Sequence, residues 1–223
     1  MSHRALKDGL YTQFARIGQA LASGKRLEVL DLLAQGPRHV EALARETEMS
    51  VANVSQHLQV LRGARLVEAK REGTRVVYRL ADDSVLRLWL SLRGVAETRL
   101  AEVAAVSREA IGDRADLVPR DELERLIGDG TVFLLDVRPK REYEHGHLAH
   151  AVSIPVEELA IRLDELPRDR PIVAYCRGEY CLFADEAVAF LREKGYDAVR
   201  LEGGWTEWRG EDRKTSVGVN GHG

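Results

Sequence analysis

The sequence predicts two domains, an all-α domain carrying a β-wing and then an α/β domain built on a mostly parallel sheet. Three observations carry this. The front half reads as helices at three-to-four spacing that give way to a charged hairpin. The rear half alternates short apolar strands with helices, the pattern of parallel pairing with helices on both faces. Charge divides the same way: Lys and Arg outnumber Asp and Glu 18 to 14 over residues 1–114 and are outnumbered 15 to 22 over 115–223. A basic front half places any nucleic-acid contact there. The expected division is 1–110, a linker over 111–118, a second domain over 119–211 and a tail over 212–223 that reads as disordered.

Composition limits the function classes. With 44% hydrophobic and 31% charged residues, 223 residues suit two globular cores. No apolar run approaches the roughly 18 residues a membrane helix needs, and Met1-Ser2-His3-Arg4 leads into no signal-peptide core. The chain reads as soluble and cytoplasmic, with no membrane partner. Two cysteines, both in one loop, point to chemistry rather than a disulfide framework.

Residues 4–22 form a helix with Leu6, Leu10, Phe14, Ile17 and Leu21 on one face. Gly24 interrupts it. A second helix carries Leu27, Val29, Leu30, Leu32 and Leu33 and is closed by Gln35-Gly36-Pro37. Val40 to Glu46 is a short third helix. Ser50 caps a fourth, Val51 to about Arg62, with Val51, Val54, Leu58 and Leu61 facing inward. Its outer face shows Asn53, Ser55, Gln56, His57 and Gln59, short hydrogen-bonding side chains of the kind that read base edges in a major groove. His57 has a second reading, a structural bond to neighbouring backbone. Leu66 to Leu80 holds two β-prone runs around a turn at Gly73, with Lys70, Arg71 and Arg75 at its tip. Helix, turn, helix and basic hairpin make a winged helix-turn-helix. The last helix of this half, Ser84 to about Arg108, carries Leu86, Trp89, Leu90, Leu92 and Val95, either a core stripe or a dimer face.

Pro119 opens a helix through Ile127. Val132–Val137 and Ala151–Ile154 are strands, Glu157 to Leu166 is helical, and Ala198–Leu201 is a later strand before Gly203-Gly204-Trp205. Between them Ile172 to Tyr175 delivers Cys176 into the loop Arg177-Gly178-Glu179-Tyr180-Cys181, and the amphipathic segment Leu182 to Lys194 follows at once. Turn N–H groups and a helix N-terminus favour a thiolate at Cys176, and ligands bind at the carboxyl edge of such sheets. A phosphatase cradle would need Arg six positions after the cysteine; Leu182 stands there. His145, His147 and His150 lie close in sequence, but no thiol or carboxylate spacing completes a zinc site. No metal and no cofactor is expected.

The stretch Val40 to Leu80, notably Ser55-Gln56-His57-Leu58-Gln59-Val60-Leu61-Arg62 with Leu66-Val67 and the Gly73 wing, resembles an ArsR-type repressor domain. The resemblance implies a homodimer built on the first and last helices. It implies double-stranded DNA as partner, contacted by Ser50, Asn53, Ser55, Gln56, His57, Lys70, Arg71 and Arg75. The family's metal sites are missing: Val40–Thr47 holds no cysteine and the last helix no histidine.

The rear half resembles a single rhodanese domain. Asp136-Val137-Arg138, Glu142-Tyr143, Gly146-His147-Leu148 and Ala151 follow its first signature, Cys176 to Cys181 its active loop, and Gly203-Gly204-Trp205 its closing turn. The resemblance implies a persulfide on Cys176, loaded by thiosulfate or a polysulfide and unloaded by a thiol or cyanide. Arg177 would add positive charge near an anionic donor, and Asp136 and Arg138 would support the fold. Cys181 either packs under the loop or attacks the persulfide. Together the two resemblances imply a DNA-binding transcriptional regulator, expected to repress, that responds to or handles sulfane sulfur. The alternative is a thiosulfate or polysulfide sulfurtransferase that its front half tethers to DNA or autoregulates.

Overall fold

Ser2 Oγ accepts the Ala5 N–H at 3.2 Å and caps the first helix, α1 (His3–Leu21). A computed structural model describes residues 2–111, 116–211 and 213–216. After α1 come α2 (Gly24–Ala34), β1 (Arg38–His39), α3 (Val40–Glu46), α4 (Val51–Gly63), β2 (Val67–Glu72), β3 (Arg75–Leu80) and α5 (Asp83–Arg99). The chain divides into two units, Met1–Ser91 and Leu92–Gly223. The division falls inside α5.

The core of the first unit is aliphatic. Val29, Leu30, Leu33, Leu43, Val54, Leu58, Leu61 and Leu86 are buried and come from α2, α3, α4 and α5. The wing pairs Val67↔Leu80 through Glu72↔Arg75, and Gly73 at φ +61 opens its two-residue turn. A positive φ at that position matches the twist of the flanking strands, which is why glycine stands there. β1, too short to be read from sequence, adds to β3 through Arg38↔Tyr78. The buried Arg38 is held by Glu46 and by the carbonyls of Leu32 and Gly36.

The apolar stripe of α1 divides, and one expectation for this half, the single last helix, is corrected. Ile17 and Leu21 of α1 pack on the core, but Leu6, Leu10 and Phe14 are exposed. The predicted last helix ends at Arg99 and resumes as α6 (Ala101–Ile111), which buries none of its residues. No residue type at 99–101 explains the break.

The second unit continues with β4 (Leu117–Val118), α7 (Arg120–Gly128), β5 (Phe133–Asp136), α8 (Lys140–His145), β6 (His147–Leu148), β7 (Val152–Ser153), β8 (Ile172–Tyr175), α9 (Phe183–Glu193), β9 (Ala198–Leu201), α10 (Trp205–Gly210) and β10 (Thr215–Ser216). Five strands form a parallel sheet in the order β4-β9-β8-β5-β7. Period-two alternation sorts their side chains between two cores. Leu135, Ile172, Ala174 and Cys176 face α9 through Ala184, Ala187, Val188 and Leu191. Leu134, Val173 and Tyr175 face Leu123, Trp205 and Trp208.

The segment expected to be helical over 157–166 is two 3-10 turns, Val156–Ile161 and Leu163–Glu165. Short 3-10 pieces serve as connectors where a run is too brief for a stable α-helix. The tail is also corrected in part: β10 pairs antiparallel with β6, Thr215↔Leu148, and the Trp208 indole donates to the Lys214 carbonyl at 2.9 Å. Residues 212 and 217–223, and linker residues 112–115, lie outside the described residues.

Candidate functional site

The DNA-facing candidates sit on α4 and the wing. Ser50 Oγ accepts the Asn53 N–H at 3.2 Å, so the cap predicted from sequence is formed. Val54, Leu58 and Leu61 seat the helix in the core. Val51, expected beside them, is exposed at 46%, because the first helical residue lies at the helix's outer end. Ser50, Asn53 and Gln56 are exposed, and Ser55 and His57 half-buried. The Ser55 hydroxyl donates to the Val51 carbonyl at 2.7 Å, which leaves its oxygen able to accept. Lys70, Arg71 and Arg75 are exposed on the hairpin. Lys70 Nζ lies 3.8 Å from Glu72, and Arg71 Nε donates to the Gly73 carbonyl at 3.2 Å. Further down, Arg79 and Glu68 neutralise each other at 2.7 Å, so the wing's free positive charge is concentrated toward its tip.

In the second unit, β8 delivers Cys176 to the carboxyl edge of the sheet. The loop is closed from behind by the Gly-Gly-Trp turn. Trp205 N–H donates to the Cys176 carbonyl at 3.0 Å, and Thr206 donates to the Arg177 carbonyl through both its N–H and its hydroxyl. A Cβ on Gly204 would lie 2.4 Å from the Cys176 carbonyl oxygen and 2.7 Å from the Gly178 nitrogen, so only glycine fits. Arg200 on β9 pairs with Asp185 and donates to the carbonyls of Gly178 and Glu179 at 3.0 and 3.1 Å. The Glu179 carboxylate in turn accepts the Gly203 N–H at 3.2 Å.

The two sulfurs are unequal. Cys176 is fully buried and Cys181 half-buried; both are free thiols. Burial pushes the Cys176 thiol well above its ordinary range, reinforced by its hydrogen bond to Cys181. That same bond, with the N–H groups of Arg177 and Phe183, holds Cys181 down to about 7 against its own burial. Sequence reasoning expects a thiolate at Cys176; the two shifts run in opposite directions and favour the anion at Cys181. Desolvation outweighs the Ala184 N–H and the Arg200 charge that favour an anion at Cys176, and the proton of the pair is held there more firmly than on Cys181.

Arg177 is engaged beside the loop. It forms a forked pair with the buried Glu142 at 2.6 to 3.2 Å and lies over the Phe183 ring, so its charge is already matched. Asp136 and Arg138 are both fully buried and paired at 2.6 Å; Asp136 also accepts the Tyr175 hydroxyl at 2.5 Å, and Arg138 donates to the Gly146 carbonyl. Among the described residues no group of three His, Cys, Asp or Glu side chains is placed to hold a metal ion. His147 stacks on Tyr143 at 3.7 Å and bonds its carbonyl.

Sequence reasoning placed Glu142 in the first signature without its link to Arg177, and missed Arg200 and Glu207. Arg200 left a signal, a lone charge inside the apolar strand Ala198–Leu201. Glu207 left none: it folds back from α10 so that Oε1 accepts the Glu179 N–H at 3.3 Å.

Residues 23–69 match the bacterial regulatory protein arsR family, and residues 119–211 match the rhodanese-like domain. The chain is 49% identical over 203 residues to the HTH-type transcriptional regulator Rv0324 of Mycobacterium tuberculosis, covering 91% of this chain and 90% of that protein. It is 35% identical over 86 residues to a sulfurtransferase of Allochromatium vinosum, covering 38% of this chain and 78% of the other. Among solved structures it is similar to the homodimeric winged helix-turn-helix domain Mb0332 of Mycobacterium bovis, at 50% identity over 45% of this chain and 91% of that one, with a TM-score of 0.42. A basic hairpin behind a capped polar helix, a cysteine loop on a parallel sheet and a relative matched along nine-tenths of its length lead to one conclusion: the chain belongs to the ArsR family of DNA-binding transcriptional regulators and carries a rhodanese-like domain.

Proposed function

We propose that this regulator is a cytoplasmic, homodimeric repressor whose affinity for DNA is set by sulfane sulfur carried on Cys176. The observation that carries the reading is the hydrogen-bonded sulfur pair at the carboxyl edge of β8, with helix N-terminal N–H groups beside it. Cys181 accepts the Cys176 proton. The freed Cys176 sulfur attacks the outer sulfur of thiosulfate, a new S–S bond forms at Cys176, the donor's S–S bond breaks, and sulfite leaves with the electron pair. Charge and atoms balance without an added oxidant. A thiol acceptor then takes the outer sulfur and restores the pair. A polysulfide donor reacts in the same way and leaves one sulfur shorter.

Ser50, Asn53, Ser55, Gln56 and His57 would meet base edges or phosphates, and Lys70, Arg71 and Arg75 would follow the backbone. The exposed apolar residues Leu6, Leu10 and Phe14 on α1 and Val95 on α5 support a second copy as partner. Similarity to the Allochromatium sulfurtransferase favours a second reading, a sulfurtransferase tethered to DNA.

Intact-mass measurement after exposure to thiosulfate or sodium tetrasulfide tests the chemistry. Wild type gains one sulfur and Cys176→Ser gains none; equal gain in both overturns the assignment. Rapid turnover with cyanide, combined with DNA binding that ignores sulfur, selects the second reading.

A further inference from the structure

The stretch between the two cysteines is fastened to the second half of α5. Tyr180 donates its hydroxyl to Glu97 Oε1 at 2.7 Å. Burial and that carboxylate push the Tyr180 phenol up to about 12, so it stays a donor. Arg93 is paired with Glu97 at 3.2 Å, lies over the Tyr180 ring and donates to Glu207 Oε1 at 2.6 Å. That same Glu207 oxygen accepts the Glu179 N–H at 3.3 Å, and its carboxylate abuts Gly178. Two consecutive loop residues, Glu179 and Tyr180, are thus tied to two residues one turn apart on a single helix. The same helix places Val85 and Leu86 in the core of the first unit, and its Trp89 indole donates to Asp31 at 3.0 Å.

Cys176 is enclosed by the loop that follows it. Its sulfur is fully buried and already lies 3.3 Å from the Cys181 carbonyl and 3.9 Å from that of Gly178. A second sulfur at a bond length of about 2 Å adds a full atom inside this closely packed loop and presses on that backbone.

Resting on the function proposed above, we propose that Arg93 and Glu97 are the coupling residues through which sulfur loading of Cys176 is transmitted to α5. Loading shifts the 178–181 backbone, the Tyr180–Glu97 and Glu179–Glu207–Arg93 bonds loosen, and the helix loses its hold at residues 93 and 97. The loading step is the one already balanced: polysulfide gives up one sulfur and leaves shortened, carrying the electron pair.

Amide hydrogen exchange over residues 92–99 of the full chain tests this, with sodium tetrasulfide as the probe and intact mass reporting uptake at Cys176. In wild type, loading speeds exchange several-fold in this segment. Glu97→Ala takes up sulfur as wild type does but shows exchange already fast and unmoved by loading, and Cys176→Ser shows no change. Unchanged exchange over 92–99 in loaded wild type overturns the proposal, as does a full loading response in Glu97→Ala. A wild type whose α5 responds while its DNA affinity does not keeps the coupling and overturns the sensing function.

Discussion

The Cys176 thiol sits under Cys181, 3.3 Å from its carbonyl oxygen and hydrogen-bonded to its sulfur. The buried sulfur thereby holds its proton more firmly than the half-buried one. Cys181 is the more nucleophilic thiol at rest, and Cys176 becomes one only when its proton moves.

Alkylation resolved by mass measures this directly. Cys181 should react with iodoacetamide along a titration centred near pH 7, its reactivity rising as pH rises through that value. Cys176 should stay slow until far higher pH. In Cys176→Ala, which removes the largest influence holding Cys181 down, the Cys181 midpoint should move up toward the ordinary thiol range of about 8.5.

Gly204→Ala tests the closing turn. The added methyl meets backbone at 2.4 and 2.7 Å, and backbone cannot rotate away. Denaturant unfolding of the second unit should show a loss of about 1–3 kcal/mol, accompanied by lower sulfur uptake at Cys176. Gly128→Ala, whose Cβ meets nothing within 4 Å, is the matched control.

Asp136→Ala tests the support beneath the sheet edge. It leaves the Arg138 guanidinium buried without its counter-charge and frees the Tyr175 hydroxyl. Breaking one side of a buried pair costs about 3–5 kcal/mol, so thermal unfolding of the second unit should fall sharply while the winged helix stays folded.

Gln56→Ala and Arg75→Ala separate base reading from phosphate contact. Gln56, exposed on α4, should cost about 1–3 kcal/mol at the specific site and little on random DNA. Arg75, on the wing, should weaken both alike and lower the salt slope by about 1.

Much of this was legible in the sequence for identifiable reasons. The Ser50 cap, the Gly73 turn and the β8–loop–α9 passage are local, and local chemistry determines each of them. The alternation that sends Leu135 to one core and Leu134 to the other is local too. What could not be read depends on long-range pairing. The Arg177–Glu142 fork spans 35 residues and Arg93–Glu207 spans 114, so no spacing rule could join them. The raised Cys176 thiol escapes the sequence for the same reason, since its burial is created by elements on both sides of the loop. β1 and β10, two residues each, carry no periodicity at all.

The most direct measurement is the affinity of the full chain for labelled DNA from its own upstream region, at fixed salt, with and without sodium tetrasulfide, for wild type and Cys176→Ser. Sulfur should shift wild-type affinity by about 5- to 150-fold, the usual size of a coupling between two sites, and leave Cys176→Ser unchanged. Equal affinity for loaded and unloaded wild type, with Cys176 shown by mass to carry sulfur, would contradict the account.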